Sequence, residues 1–233
     1  MKDESQTYSY TFLFPDGHKK TFNIKLNADS QLINKIVEHP PSWTKLEHHQ
    51  CTPCPLTVLK HPLCPAAFAI SSLVSGFKGT RSYSSCVVEC TSFARKVTKE
   101  TSVQDGLASI LGLLLATSGC PIMDFFKPLA RFHLPFSTVD ETIFRVFATY
   151  MLKQYYLHNK GQAGDFTLHK IKKHYKLVNL VNKGILARIG DIAEHDADQN
   201  AIVTLNSLAQ ILDMEIDTNL ESLQHLFDGG TLF

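Results

Sequence analysis

The feature that most constrains this chain is a short stretch that holds three of its six cysteines within fourteen residues. Two of them form a Cys-x-x-Cys pair, and the tight turn of such a pair points both sulfurs at one metal ion. The stretch therefore predicts a metal site, a disulfide, a redox pair or a buried turn. Its cysteines are Cys51, Cys54 and Cys64, and the histidines beside them are His48, His49 and His61.

A fourth cysteine, Cys120, lies far along the chain but has the same local sequence as Cys64. Each is followed by proline and then by a segment predicted to be helical. Because proline favours the first position of a helix, both cysteines are expected at or beside an N-cap. The free N–H groups and the helix dipole there would lower the pKa of a thiol. The predicted metal ligands are Cys51, Cys54, Cys64 and Cys120.

The identity of the metal follows less directly from the ligands. Four thiolates bind either tetrahedral zinc or an iron–sulfur cluster. Zinc is the predicted cofactor, because the cysteine spacings match no standard cluster sequence and because a histidine could replace Cys120 as the fourth ligand. The iron–sulfur cluster is the alternative, since Cys-Pro pairs recur in ferredoxin motifs. The histidines that could replace Cys120 are His48, His49 and His61.

Two other interpretations of the cysteines stay open. Cysteine often packs as a small hydrophobic residue, which is the interpretation we prefer for Cys86 and Cys90 on one face of a predicted strand. A thiol-dependent redox protein or enzyme would use the Cys-x-x-Cys pair, or Cys120 with His133 as its base. Thioredoxin-like motifs follow a strand of a βαβ unit, and no such unit is predicted here. The sequence leaves open whether the chain is an enzyme, because none of the common catalytic motifs is present.

Residue periodicity predicts an α+β fold with two short antiparallel β-hairpins, a cysteine-rich insert and a mostly helical second half. Alternating apolar residues mark one hairpin at residues 8–26, and a second antiparallel pair of strands is predicted at 86–90 and 93–100. Apolar residues at three- and four-residue steps mark the helices. The expected organisation is one domain, 1–233, with the hairpins and insert in 1–100 and the helical part in 101–233. Helices are predicted at 29–38, 66–77, 103–117, 122–130, 139–158, 166–194, 199–212 and 218–227, with caps at Ser102, Thr138 and Thr218.

Composition narrows the class of partner. A formal net charge of +1 gives no electrostatic reason to expect a nucleic acid. The longest uncharged run, residues 106–123, contains glycines and a Cys-Pro break, so we predict a buried helix and no membrane span. No secretory signal is recognised at residues 1–10. We therefore expect a cytoplasmic protein whose partner, if any, is another protein, in a reducing compartment that favours metal binding over disulfides.

Four motifs resemble a family of uncharacterised bacterial proteins. They are W-x-x-L-x-x-H-Q-C-x-x-C-P-L at 43–56, H-P-x-C-P at 61–65, A-T-S-G-C-P at 116–121 and R-F-H-L-P-F at 131–136. The resemblance covers most of the chain and implies no known activity. It does imply that Cys51, Cys54, Cys64 and Cys120 belong together, because they lie in these motifs whereas Cys86 and Cys90 do not.

Overall fold

The computed structural model describes residues 5–33, 39–192, 197–218 and 220–228. The two predicted hairpins are present, and they join edge to edge into one antiparallel sheet of four strands in the order β2-β1-β3-β4. Helices follow, mostly in the second half of the chain, so the predicted α+β class is confirmed. The strands are β1 (Gln6–Leu13), β2 (Lys19–Leu26), β3 (Ser85–Ser92) and β4 (Lys96–Ser102).

One face of the sheet packs against the helices and forms one side of the hydrophobic core. Tyr10, Phe12 and Val88 are completely buried on this face, in keeping with the two-residue alternation of a half-buried strand. Cys86 and Cys90 flank Val88 on β3 and are buried with it. Both cysteines therefore contribute to the core, as the sequence predicted.

The helices bury their apolar faces against this face of the sheet and against each other. Helix α2 lies so close to the sheet that a Cβ at Gly106 would be 2.6 Å from the Phe12 ring and 2.9 Å from a Val88 methyl group. Only glycine fits this approach. The helices are α1 (Pro65–Gly76), α2 (Val103–Thr117), α3 (Lys127–Arg131), α4 (Val139–Asn159), α5 (His169–Gly190), α6 (Ala197–Asp217) and α7 (Glu221–Gln224).

Two of the three predicted caps are formed. The Ser102 hydroxyl accepts a hydrogen bond from the Asp105 N–H at 3.3 Å and caps α2. Thr138 and Glu141 form a reciprocal capping box at the start of α4. The third cap is wrong, because the residue that precedes α7 is Leu220 with φ +61°, and Thr218 contributes only its backbone carbonyl.

Other helix boundaries also differ from the prediction, and helix α6 ends at Asp217 where residue 212 was expected. Helix α5 begins at His169 because Leu168 has φ +63°, a left-handed conformation that a helix cannot contain. The predicted helix 122–130 is divided into a 3₁₀ turn, Met123–Phe126, and the short helix α3. Residues 34–38 of the predicted helix 29–38 lie outside the described residues, and the preceding part contains a turn and an isolated bridge between Leu26 and Leu32.

The uncharged run 106–123 does not form a continuous helix. Helix α2 ends at Thr117, and Gly119 follows with φ +87°, which reverses the chain before Pro121. Within the described ranges, no helix has both the length and the apolar character needed to cross a membrane.

Candidate metal centre

Three of the predicted ligands lie in the cysteine loop, which we define as residues 43–64. The Cys54 N–H donates to the Cys51 carbonyl at 2.9 Å and closes the Cys-x-x-Cys turn. The Cys64 N–H donates to the Thr44 carbonyl at 2.7 Å, so the end of the loop returns to its start. Cys64 is the N-cap of α1 and Pro65 is the first helical residue, as predicted. The loop is therefore closed upon itself by its own backbone.

The fourth predicted ligand, Cys120, lies in the turn after α2. Burial raises the pKa of its thiol, and hydrogen bonds from the N–H groups of Met123 and Ile122 to the sulfur offset only part of that rise. Cys120 is not an N-cap, because Ile122 takes that position before the 3₁₀ turn Met123–Phe126. The expected lowering of its pKa is also wrong, because loss of solvent outweighs the backbone donors. The two N–H groups favour the thiolate form of Cys120.

The four thiols lie near enough to influence one another's pKa. Burial is the main cause that raises the pKa of Cys51 to about 11, and the neighbouring Cys64, Cys120 and Cys54 contribute in the same direction. Cys120 interacts in the same way with Cys64 and Cys54. Residues from the cysteine loop and from the end of α2 therefore meet at one place, although more than fifty residues separate Cys64 from Cys120.

A buried arginine that the sequence analysis did not select adjoins these cysteines. The Arg188 side chain is fully buried in α5, and its guanidinium donates to the carbonyl oxygens of Trp43, Lys45 and Leu46 at 2.7, 2.7 and 3.0 Å. Its charge favours the thiolate of Cys51. Among the described residues no carboxylate forms an ion pair with Arg188, and its Nε has no hydrogen-bond partner.

An isolated buried cation is costly, so its site favours a nearby anion. In its ionised form, the Cys51 thiol would supply this negative charge. A signal for Arg188 was present in the sequence, because it falls between Ile185 and Ile189 on the apolar stripe of α5, where a charged residue is unusual.

Helix α5 also contacts the cysteine loop at Gly184, one turn before Arg188. A Cβ at Gly184 would lie 2.7 Å from the Cys51 sulfur and 3.5 Å from the His49 carbonyl oxygen. The helix backbone is therefore one wall of the sulfur site. The absence of a side chain at Gly184 gives Cys51 its position.

We expect Gly184→Ala to displace the Cys51 sulfur and destabilise the chain by about 1–3 kcal/mol, because the added methyl group overpacks the contact. Gly190→Ala, six residues later in α5, is the matched control, since a Cβ there meets nothing within 4 Å. Urea unfolding of both variants tests this, and equal stabilities would contradict the close contact at Gly184.

Two of the alternative ligands lie with an acidic residue at the end of α5. His49 Nε2 and His48 Nε2 are 2.8 and 3.0 Å from Asp191 Oδ2. A hydrogen bond from His49 lowers the pKa of the Asp191 carboxyl. Across the described residues, this is the one group whose three ligand atoms lie within 4.8 Å of one another, so no three cysteine sulfurs are that close. His61, the remaining alternative, is exposed.

The His133 side chain contacts two tyrosines of strand β1, Tyr8 and Tyr10. Its Nε2 lies 2.5 Å from the Tyr10 hydroxyl, and its ring packs edge-on against Tyr8. Burial lowers the pKa of His133 to about 4, and the Arg145 charge contributes. His133 is not among the groups that shift the pKa of Cys120. The contacts of these two residues therefore give no support to the nucleophile–base pair of the enzyme alternative.

The depressed pKa of His133 predicts a stability that falls in mild acid. The unfolded chain binds this proton near pH 6.5 and the folded chain only near pH 4, so stability is complete above pH 6.5 and is lost progressively below it. The loss at pH 5 is about 2 kcal/mol. Unfolding free energies at pH 7 and pH 5 should therefore differ by about 2 kcal/mol less in His133→Gln than in the original chain. An unchanged difference would contradict the buried neutral imidazole.

The sequence was compared with models of known protein families. One family model, DUF6901, a domain of unknown function, matches residues 7–228. The chain belongs to this family. DUF6901 membership confirms the resemblance to an uncharacterised family and brings no activity with it. No curated protein and no solved structure matches the chain.

Proposed function

We propose that this DUF6901 protein is a metal-dependent binding protein in which Cys51, Cys54, Cys64 and Cys120 hold one metal centre. The observation that carries the proposal is that four thiols from distant parts of the chain influence one another's pKa, with the buried Arg188 charge acting on one of them, Cys51. The centre joins the cysteine loop to the helical half and stabilises one domain, which presents its surface to a partner protein. A reducing compartment such as the cytoplasm suits these free thiols.

The separation of the sulfurs favours an iron–sulfur cluster over a single zinc ion. In tetrahedral zinc the metal–sulfur distance of about 2.3 Å places sulfurs roughly 3.8 Å apart. No three of the four cysteine sulfurs lie even within 4.8 Å of one another. A cluster keeps its cysteine ligands further apart, because several iron atoms and sulfides lie between them. For this reason we propose the iron–sulfur cluster, the alternative cofactor, ahead of zinc.

The surroundings of the sulfurs also suit such a cluster. Hydrogen bonds to the sulfurs and nearby charges are the means by which a protein stabilises a cluster and sets its potential. Cys120 receives two backbone N–H bonds, and Cys64 lies at the positive end of α1. Arg188 supplies a buried positive charge next to Cys51. These groups would offset the negative charge of four thiolates.

The proposal is tested by purifying the chain without oxygen and measuring iron, acid-labile sulfide and zinc per chain, together with visible absorbance. We expect a brown protein with about four irons and four sulfides, the content of a cubane cluster. A colourless protein with one zinc would support the ion that the sequence predicted. Neither metal, with all thiols reacting freely, would overturn the metal centre.

The group His48, His49 and Asp191 supports a second candidate, a zinc site of nitrogen and oxygen ligands. Its three ligand atoms are already close enough to share one ion, and zinc accepts imidazole and carboxylate ligands. Loss of zinc from His49→Ala with retention in Cys120→Ser would favour this site. The opposite pattern would favour the cysteines.

A further inference from the structure

Helix α4 is apolar on two opposite faces. Its inner face is buried in the core, through Ile143, Val146, Phe147 and Tyr150. On its outer face lies a second set of large apolar side chains, each between 37% and 57% exposed. A surface helix is normally polar where it faces solvent, and a helix that is apolar all round is normally covered, so the outer face has the character of an interface. The outer set consists of Phe144, Met151, Leu152, Tyr155 and Tyr156.

The outer face is large enough to form an interface. An aromatic side chain buries about 150–250 Å² in a core, and each of the five outer side chains leaves roughly half of its area in water. Together they expose on the order of 500 Å² of apolar surface, near the upper end for the largest patch of a monomeric protein. With the polar side chains around them, this area approaches the ~800 Å² that each partner contributes to a standard interface.

The spacing of the outer residues fits an antiparallel pair of helices. Three of them and the exposed Ala148 are separated by four, three and four residues, which keeps them on one narrow stripe of α4. This spacing is symmetric about residues 149–150, so two antiparallel copies of α4 place Phe144 of one copy opposite Tyr155 of the other. Nearer the centre Met151 faces Ala148, so a large side chain meets a small one. A self-complementary stripe of this kind is what a two-fold dimer requires.

The charges at the two ends of α4 also favour an antiparallel copy. Asp140 lies in its first turn and Lys160 caps its end, and both are exposed. Across the residues that the structure describes, neither side chain forms an ion pair within the chain. In the antiparallel arrangement each Asp140 lies near the Lys160 of the other copy, whereas a parallel arrangement brings like charges together. The formal net charge of +1 means that two copies repel each other only weakly.

We propose that two copies of this chain associate through the outer face of α4, packed antiparallel about a two-fold axis beside residues 149–150. The dimer buries the exposed apolar stripe and pairs the charges at its two ends. None of the residues on this face is a proposed metal ligand, so the dimer is independent of the metal centre and goes beyond the proposed function.

Sedimentation equilibrium of the chain as purified, with its metal, tests the proposal over concentrations up to about 100 μM. We expect a mass twice the 26.1 kDa of one chain at the upper concentrations. Met151→Lys places a charge in the seam of both copies and should weaken the dimer at least about 30-fold, the loss of one strong interface residue. Met214→Lys, the same change at a 67% exposed position on α6, is the matched control and should leave the association unchanged.

An exchange of charges tests the orientation of the two copies. Asp140→Lys should weaken the dimer about three- to tenfold, because it brings two lysines together at each end of the stripe. The double variant Asp140→Lys/Lys160→Asp should recover most of that loss, since each pair is restored with its charges exchanged.

Three results would overturn the proposal. A monomer at every concentration would mean that α4 does not bind a second copy. A dimer that Met151→Lys and Leu152→Lys both leave intact would be formed by another surface. A double variant that associates no better than Asp140→Lys would contradict the antiparallel orientation. Because the substituted side chains are exposed, metal content and melting temperature should match the original chain and show that each variant is folded.

Discussion

Cys120→Ser is expected to lower the melting temperature about as much as Cys51→Ser, on the order of 10 °C, which corresponds to a few kcal/mol for a chain of this size. A metal bound only by the folded chain adds its binding free energy to folding. Because the proposed centre joins the cysteine loop to the end of α2, loss of a ligand from either side should have a similar effect. Thermal unfolding with parallel metal analysis measures both.

Cys86→Ser is the matched control for this pair of variants. Cys86 is as buried as Cys64 or Cys120, but it lies on β3 and belongs to the sheet face of the core. Its replacement should lower the melting temperature much less and leave the metal content unchanged. If Cys51→Ser loses the metal while Cys120→Ser keeps it, the fourth ligand is a histidine and the two halves are not joined by the centre.

Arg188→Met should destabilise the chain by about 3–5 kcal/mol, because it removes one partner from a buried set of charge-assisted hydrogen bonds. Three loop carbonyls would lose their donors, and Cys51 would lose the adjacent positive charge. Chemical denaturation measures the change. Arg95→Met is the control, since Arg95 is exposed on the turn between β3 and β4 and should cost little.

A second variant separates the charge of Arg188 from its shape. Arg188→Lys keeps the charge but cannot make the planar pattern of donors that reaches three carbonyl oxygens. It should retain more metal than Arg188→Met while remaining less stable than the original chain. Equal metal content in all three proteins would show that the thiols do not depend on the buried cation.

Local sequence signals predicted the elements that local chemistry determines. The alternation in β1 and β3 and the caps at Ser102 and Thr138 are confirmed, because each depends on residues within a few positions of one another. The predicted starts of helices α5 and α7 are wrong at Leu168 and Leu220. Each leucine adopts a left-handed backbone conformation, which the surrounding structure imposes and the local sequence does not indicate.

Contacts between segments that are distant in sequence could not be predicted from residue patterns, which report only local structure. The pairing of β1 with β3 joins two hairpins that are separated by the cysteine loop and α1. Asp191 meets His48 and His49 only because α5 ends beside the loop. Cys64 is the N-cap of α1, as its Cys-Pro step predicted, but the 3₁₀ turn that begins at Met123 has Ile122 as its N-cap, so the same prediction is wrong for Cys120. Its thiol pKa was misjudged, because burial depends on the whole fold.

X-ray absorption at the bound metal is the most direct test of the cysteine centre, because it reports the type of ligand atom around the metal. We expect iron whose nearest neighbours are all sulfur, from sulfides and from the thiolates of Cys51, Cys54, Cys64 and Cys120. Zinc with four sulfur neighbours would keep the ligands and change the cofactor. A first shell of nitrogen and oxygen, the donors of His48, His49 and Asp191, would contradict the account.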